Sequence, residues 1–286
     1  MGHAATFLTA DGASIYYETR GVGSPLLLIS GMGADHRAWD ELLPELEKSY
    51  TCIAYDHRGV GNSTPRQADF SIRDLAADAC ELLDACGAEQ ANVIGISMGG
   101  AVAQELAINH PDKVLGLVLV STWARADAYR RVFGECRMRA AGTLDRNAFW
   151  KEHLLWCYSR EFYRENPQKV EAICRALADT RQDTQDLIRQ HRANLQHDTV
   201  DRLRWISAPT LIVAGKQDIS TPPELAEVLH AGIAGSRLAV LDRCGHSLTS
   251  EAPARFSAAA LAFLHSLAAG RQGHRGPNCE VPARSV

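Results

Sequence analysis

The 286-residue sequence lacks the features that would assign it to several specialised classes of protein. Its eight cysteines include no C-x-x-C pair and no zinc-finger spacing, so we expect mostly buried free thiols rather than metal ligands. No apolar run approaches the roughly 20 residues that a membrane-spanning helix needs, and the amino-terminal residues do not resemble a secretory signal. We therefore expect a cytoplasmic protein without a membrane partner.

The sequence also lacks a strong net charge. Thirty Lys and Arg residues against 34 Asp and Glu residues give a formal net charge of −4, which provides no basic field for a polyanion. Hydrophobic residues make up 46% and charged residues 22% of the chain, proportions typical of globular rather than disordered or coiled-coil proteins. We therefore expect no nucleic-acid partner.

Short apolar runs alternate with longer segments of helical periodicity, as in parallel strands joined by helical crossovers. An antiparallel hairpin is predicted at residues 5–9 and 14–19, with Asp11-Gly12 as its turn. Further strands are predicted at 25–29, 51–55, 91–95, 115–120, 210–214 and 238–241. Helices are predicted at about 38–48, 71–87, 98–109, 222–232 and 252–267. The sequence thus predicts an α/β fold with a mostly parallel central sheet of about eight strands flanked by helices.

The interval 123–205 differs because it has no convincing strand and repeats apolar residues at helical spacing. We predict a helical cap, or lid, of about four helices here, inserted after strand 6 and forming walls of a pocket beneath it. Residues 1–122 and 206–269 then form the core. Residues 270–286, rich in Gly, Arg, Pro and Ser, are expected to be a disordered tail.

The segment 93–101 contains a predicted strand end, the pentapeptide Gly95-Ile96-Ser97-Met98-Gly99, and the start of a helical pattern. In this context Ser97 is predicted to occupy a tight strand-to-helix turn with its hydroxyl above the sheet. Gly95 and Gly99 suit such a turn because they lack side chains that would collide there. A phosphate-binding turn or a glycine-rich packing elbow is the alternative interpretation.

A serine nucleophile needs a general base and a group that orients the base. Asp218 follows the seventh predicted strand and His246 follows the eighth. Because the carboxyl ends of parallel strands meet at one rim, Ser97, Asp218 and His246 are predicted to converge. Asp242 is a competing acid, disfavoured because it lies on the same short loop as His246. The rate should fall as the His246 imidazole becomes protonated.

Five motifs occur in a fixed order along the chain: SGMG at 30–33, YDHRGVGNS at 55–63, the Ser97 elbow, PTLIVAGKQD at 209–218 and GH at 245–246. With these motifs the chain resembles α/β-hydrolase fold enzymes over residues 5–122 and 206–268. The resemblance implies that Ser97 is the nucleophile, that His246 acts as base and then acid, and that Asp218 orients it.

The resemblance also implies an oxyanion hole formed by the backbone N–H groups of Met32 and Met98. Many relatives have His-Gly where this chain has Ser30-Gly31, so a histidine that helps to brace that loop is missing here.

Other polar residues near the motifs are interpreted as structural. Asp56 and Arg58 belong to the family's D-x-R-G-x-G-x-S turn, where we expect a loop-bracing ion pair. Three histidines, His36, His57 and His110, are expected to be packing or surface residues. None of the 11 histidines has a metal-ligand spacing such as H-E-x-x-H, so no metal and no cofactor are expected.

The identity of the nucleophile narrows the reaction. Serine at position 97 argues against haloalkane dehalogenases and epoxide hydrolases, which use a carboxylate. The elbow, the 208–218 segment and the cap length resemble 3-oxoadipate enol-lactonases and small carboxylesterases, which implies hydrolysis of an ester or lactone through an acyl-enzyme on Ser97. The alternatives are a carbon–carbon bond hydrolase, although Ser247 stands where those relatives have Trp, a perhydrolase, and a non-catalytic ligand receptor.

The cap is expected to determine selectivity toward a small-molecule substrate, in a protein that is a monomer or homodimer. The candidate substrate-binding residues are Gly31, Trp123, Trp150 and Trp156. Further aromatic candidates, each of which has internal packing as its alternative role, are Phe149, Tyr158, Phe162 and Tyr163. The candidates for binding a substrate carboxylate, most of them expected to be solvated, are Arg125, Arg130, Arg131, Arg137 and Arg139.

Overall fold

The computed structural model describes residues 2–64, 69–180 and 182–272. The sheet in this part of the chain has eight strands, β1 His3–Leu8, β2 Ser14–Arg20, β3 Ser24–Ile29, β4 Tyr50–Tyr55, β5 Ala91–Ile96, β6 Val114–Val120, β7 Thr210–Gly215 and β8 Arg237–Leu241. They lie in the order β1-β2-β4-β3-β5-β6-β7-β8. The β1–β2 and β2–β4 pairs are antiparallel, and the other neighbours are parallel. The prediction of a mostly parallel sheet is confirmed.

The helices flank the sheet on both faces. The α-helices of the described residues are α1 Leu43–Leu46, α2 Ile72–Ala85, α3 Met98–Asn109, α4 Ala128–Thr143, α5 Arg146–Cys157, α6 Arg160–Glu165, α7 Pro167–Ala178, α8 Thr184–Gln196, α9 Pro223–Gly232, α10 Leu248–Glu251 and α11 Pro253–Gln272. Short 3-10 helices occur at His36–Trp39, Pro111–Lys113 and Val200–Trp205. No helix in these ranges combines the length and apolar character needed to cross a membrane.

The alternation of side chains along each strand separates two hydrophobic cores. In β3, Leu27 and Ile29 belong to a cluster that includes residues of α2, α3 and α9. The intervening Leu26 and Leu28 belong to a cluster that includes residues of α1 and α11. Successive strand residues point to opposite faces, so a continuously apolar strand requires helices on both sides. The sheet is therefore a buried platform whose strand ends hold the loops described below.

Two helix predictions needed correction, and proline accounts for both. A single helix over 38–48 was expected, but a 3-10 turn and the four-residue α1 occupy this segment. Pro44, near the start of α1, has no N–H to donate to the carbonyl of a preceding turn, so a helix begins here but does not continue through from the turn before it. In the insertion about four helices were expected, but its described residues form five α-helices because Pro167 begins α7 directly after α6.

The helical insertion lies between β6 and β7, as the sequence predicts. We use the term helical insertion for residues 123–205. The carboxyl-terminal helix α11 reaches Gln272, beyond the expected start of the tail at 270. The remainder of the expected tail lies outside the described residues.

The prediction of an ion pair between Asp56 and Arg58 was wrong. The Arg58 guanidinium, only 2% exposed, forms a fork with both carboxylate oxygens of Asp78 and also contacts Asp11. Asp56 instead accepts the backbone N–H groups of His36 and Asn62, at 2.7 and 2.8 Å. A planar guanidinium favours two-point contact with a carboxylate, and α2 provides that carboxylate from a separate part of the chain.

Candidate active site

Ser97 lies at the turn between β5 and α3 with a strained backbone. Its φ of 55° and ψ of −116° are unusual for a residue with a side chain, at a cost of about 1–3 kcal/mol. A Cβ on Gly95 would overlap the carbonyl of Gly99, and a Cβ on Gly99 would overlap that of Ile29. These contacts explain why the turn requires glycine on both sides of the serine.

The structure brings Ser97, His246 and Asp218 together. The distance between His246 Nε2 and Ser97 Oγ is 2.9 Å, and that between His246 Nδ1 and Asp218 Oδ2 is 2.8 Å. Asp218 follows β7 and His246 follows β8, so adjacent parallel strands present the two side chains at the same rim. The competing acid Asp242 is exposed and pairs with Lys216 at 2.8 Å. The geometry therefore selects Asp218 as the partner of the imidazole.

Hydrogen bonds within its own loop fix the Asp218 carboxylate. Its Oδ1 accepts the N–H groups of Ser220 and Thr221 at 2.8 and 2.7 Å, and its Oδ2 accepts the Thr221 hydroxyl at 2.6 Å. With Oδ2 as the acceptor, His246 carries its proton on Nδ1 and presents the Nε2 lone pair to the Ser97 hydroxyl. Thr221 was not among the residues predicted for the site, although an Asp followed by Ser and Thr is a recognisable turn pattern.

The loop after β3 lies directly against Ser97. A Cβ on Gly31 would be 3.4 Å from the Cβ of Ser97. The backbone amides of Met32 and Met98 donate no hydrogen bond to any other part of the described chain, and that of Met98 is the first N–H of α3, which has no partner within the helix. Both amides thus remain free to donate, as an oxyanion hole requires.

Ser30 and His57 brace this loop. The Trp39 indole donates to Ser30 Oγ at 2.8 Å, and the His57 ring contacts the Ser30 carbonyl through Nε2 at 3.0 Å. Burial lowers the pKa of His57 to about 4, so its ring is neutral and donates Nε2–H to that carbonyl. His57 therefore supports the loop that lies against Ser97, beyond the packing role expected from the sequence.

A cavity of about 380 Å³ lies between the sheet rim and the helical insertion. Ser97, His246, Gly31 and Met32 line it from the core. The residues of the insertion that line it include Arg130, Phe133, Trp150, His153, Leu154, Cys157, Tyr158, His191 and Asn194. The arrangement encloses the serine hydroxyl in a largely apolar chamber with a few polar groups, as small-molecule sites generally do.

Two tryptophans expected to bind substrate are absent from the cavity wall formed by the described residues. Trp123 is fully buried, and the Arg130 guanidinium stacks 3.6 Å from the centre of its ring. Trp156 donates its indole N–H to Glu152 at 2.7 Å and packs edge-on against Phe133. Helical periodicity places these residues in the insertion but does not determine which face meets the cavity.

Three side chains of types that ligate metals lie close together near the loop after β3. Asp35, His36 and Asp56 place one ligand atom each within 4.8 Å of one another. His36 Nδ1 is hydrogen-bonded to Asp56 at 2.7 Å, and the Asp35 carboxylate pairs with Arg37. Protein partners thus explain the cluster without an ion.

Comparisons with known proteins agree with this architecture. A family model described as the alpha/beta hydrolase fold matches residues 24–253. A protein of Azorhizobium caulinodans named "Putative carbamate hydrolase RutD" is 33% identical over 251 residues, 88% of this chain and 95% of the relative. A thermophilic esterase from Thermogutta terrifontis is 26% identical with a TM-score of 0.84, covering 93% of this chain and 99% of that chain. The enol-lactonase of Burkholderia xenovorans shares the fold at 24% identity and a TM-score of 0.85, covering 91% of this chain and 100% of that chain.

Proposed function

Because the chain belongs to the α/β hydrolase fold family, we propose that it is a serine hydrolase that cleaves a carboxylic ester or lactone through an acyl-enzyme on Ser97. The proposal depends chiefly on one observation, the hydrogen-bonded series Ser97–His246–Asp218 at 2.9 and 2.8 Å. The likeness to an esterase of 26% identity supports the same chemistry.

Acylation follows from the positions of the groups. His246 Nε2 removes the proton from the Ser97 hydroxyl as Oγ attacks the acyl carbon of the substrate. The carbonyl oxygen becomes an oxyanion that the amides of Met32 and Met98 stabilise, each contributing about 3–4 kcal/mol. His246 then gives its proton to the leaving alkoxide, and the carbon–oxygen bond breaks. With a lactone, the released alcohol stays attached to the acyl group.

Deacylation repeats these steps with water. The neutral His246 takes a proton from a water molecule, whose oxygen attacks the acyl carbon of the Ser97 ester. The tetrahedral intermediate collapses, the proton returns to Ser97 Oγ, and the carboxylic acid leaves. Throughout the cycle, the buried Asp218 carboxylate stabilises the imidazolium form of His246.

Replacing the nucleophile tests the proposal. Ser97→Ala is expected to lower kcat for p-nitrophenyl butyrate by about 10⁴- to 10⁶-fold, since it removes the attacking oxygen. Stopped-flow release of p-nitrophenol should show an acylation burst in the wild type, and a fluorophosphonate should add to Ser97 by mass spectrometry. The matched control is Ser207→Ala, a change at an exposed serine. Wild-type turnover in Ser97→Ala would refute the proposal, and binding without turnover in the wild type would indicate a ligand receptor.

A second candidate function is carbamate hydrolysis, favoured by the 33% identity to a relative whose name gives that activity. Ser97 would attack the carbamoyl carbon and His246 would protonate the leaving group, as for an ester. Phenyl acetate and phenyl carbamate share the same leaving group, so the ratio of their kcat/KM values distinguishes the two functions. A higher value for phenyl carbamate would favour this candidate over the ester or lactone.

A further inference from the structure

The helical insertion places a buried cation on the cavity wall. Arg130, on α4, is 7% exposed and lines the same cavity as Ser97. Its Nη1 donates to the Ser220 carbonyl at 2.6 Å, whereas Nε has no partner. Within the described ranges, the Ser220 carbonyl is the only hydrogen-bond partner of the guanidinium, whose flat face stacks 3.6 Å from the centre of the Trp123 ring. Arg130 therefore retains unused donors at the cavity.

The protein itself only partly compensates the charge of Arg130. Burial lowers its pKa to about 10, while the more distant charges of Asp218 and Asp127 act in the opposite direction. The group is thus still protonated at neutral pH. Asp218 is already committed to His246 and to three donors of its own loop. A buried cation without a paired anion is costly, so an anionic ligand group would relieve this cost.

Helix α8 adds two more polar side chains to the same wall. His191 and Asn194 are 4% and 7% exposed, and both line the cavity. Among the described residues, His191 Nε2 and Asn194 Oδ1 have no hydrogen-bond partner. Helices α4 and α8 pack closely, with Gly134 against Leu195, so the three polar groups come from facing helices. Their unmet hydrogen-bonding capacity indicates a ligand, as the unpaired charge of Arg130 does.

The two uncharged side chains are suited to hydrogen-bonding an anion. Burial, reinforced by the charges of Arg137 and Arg130, lowers the pKa of His191 to about 3. Its ring is therefore neutral and can donate one N–H. The Asn194 amide presents either its oxygen or its NH₂ after rotation about its last side-chain bond. With Arg130, the cluster offers a cation and two neutral donors, a set that matches the oxygens of a carboxylate.

We propose that Arg130, His191 and Asn194 form a subsite for a carboxylate carried by the substrate. This subsite rests on the proposed serine hydrolase function. With it, the preferred substrate is a half-ester of a dicarboxylic acid or a carboxylate-bearing lactone. The uncharged acyl carbon lies at Ser97 and the carboxylate lies at the insertion. A purely structural role for Arg130, holding the Ser220 carbonyl, is the alternative that the experiment must exclude.

Two esters with the same leaving group test the subsite. Monoethyl adipate and ethyl hexanoate differ in a terminal carboxylate, and the ratio of their kcat/KM values measures its recognition. We expect the wild type to favour monoethyl adipate by about tenfold or more, and Arg130→Gln to lower that ratio by about tenfold, since a hydrogen bond to a charged group is lost. Asn194→Ala should lower it about threefold, and Arg130→Lys should retain part of it.

The matched control is Arg131→Gln, which removes the same charge from an exposed position on α4 and should leave the ratio unchanged. If the wild type hydrolyses both esters without preference, or if the ratio survives in both Arg130→Gln and Asn194→Ala, the subsite is wrong and the proposed function stands. If Arg130→Gln does not fold, the ratio of kcat/KM values for the two esters is measured in Arg130→Lys and Asn194→Ala instead, and an unchanged ratio in both variants would overturn the subsite.

Failure of the proposed function has a different signature. If the wild type hydrolyses neither ester, the hydrolase proposal fails, and calorimetric titration of Ser97→Ala with adipate tests the subsite alone. Adipate binding that weakens about threefold in Ser97→Ala/Asn194→Ala would support a carboxylate site without ester hydrolysis. No adipate binding, or binding that is unchanged by Asn194→Ala, would overturn the subsite.

Discussion

At the scale of single residues, the Asp218 carboxylate determines which nitrogen of His246 is free to act as a base. Its Oδ2 accepts from Nδ1, and its other contacts come from Ser220 and Thr221. An amide at this position would offer an NH₂ or a weaker acceptor to the imidazole. The ring could then present Nε2–H to Ser97, which would prevent general-base catalysis.

We therefore expect Asp218→Asn to lower kcat for an ester substrate by about 10³- to 10⁴-fold. Asp242→Asn is the matched control, because Asp242 is exposed and contacts Lys216 rather than His246. Its kcat should stay within about twofold of the wild type, since exposed ion pairs contribute little. Steady-state kinetics of both variants checks this. A larger loss of kcat in Asp242→Asn than in Asp218→Asn would show that Asp218 is not the carboxylate that orients His246.

The sequence predicted the three residues of the hydrogen-bonded series because their placement depends on topology alone. Each follows a strand of a parallel sheet, so the rim at which they meet does not depend on side-chain detail. Thr221, the partners of Arg58 and the bracing role of His57 could not be predicted in this way. These contacts depend on which distant segment supplies the complementary group, as α2 supplies Asp78 to Arg58.

At the scale of elements, Glu251 connects the helical insertion to the loop that carries His246. Glu251 Oε1 accepts the backbone N–H groups of Gly245 and Ser159, at 3.0 and 3.2 Å, and Oε2 accepts the Ser159 hydroxyl at 2.6 Å. Ser159 caps the start of α6. The carboxylate therefore joins the insertion to the residue immediately before His246.

Glu251→Gln is expected to lower kcat about three- to tenfold, because the amide has one acceptor oxygen and places an NH₂ group beside existing donors. Hydrogen exchange at the amides of residues 245–247 should become faster while the global unfolding free energy changes less. Glu227→Gln, at an exposed position on α9, is the control. Unchanged exchange at 245–247 in Glu251→Gln would contradict the positioning role.

Elements whose boundaries have local chemical signals were predictable, and the others were not. Ser71 forms a reciprocal cap with Asp74 at the start of α2, as a serine before a helical pattern indicates. In the helical insertion, the sequence shows only apolar residues repeated at helical spacing. That pattern cannot distinguish Trp150, which lines the cavity, from Trp156, which packs against Phe133. The difference is set by how helices pack against one another, and a single chain's periodicity does not record it.

At the scale of the whole molecule, the fold follows from apolar strands that must be covered on both faces. Such strands require crossover helices on each side. This requirement is why the mostly parallel sheet could be predicted from the sequence. The burial of side chains in this fold also makes the free energy of unfolding depend on pH. Burial excludes water from polar groups throughout the molecule, including four histidines whose pKa it lowers: His57, His153, His191 and His197.

These histidines should make the protein sensitive to acid. The folded pKa values of His57, His191 and His197 lie near 3 to 4, below the value of about 6.5 for an unfolded chain. Stability is thus complete above about pH 6.5 and falls as pH drops toward 4, because the unfolded state binds protons first. For His57 alone the loss is about 3 kcal/mol at pH 4. His36 acts in the opposite direction, since burial lowers its pKa but the hydrogen bond to Asp56 and the charges of Asp56, Asp35 and Glu18 together raise it above its usual value.

Urea unfolding between pH 7.5 and 4.5 measures this effect. The unfolding free energy should decline steadily below about pH 6.5, and the decline should be shallower in His197→Gln, which removes one buried titrating group. His3→Gln, at an exposed position in β1, should leave the slope unchanged. Stability that stays constant down to pH 4.5 would mean that protonation of these rings costs little, which contradicts their burial as neutral groups.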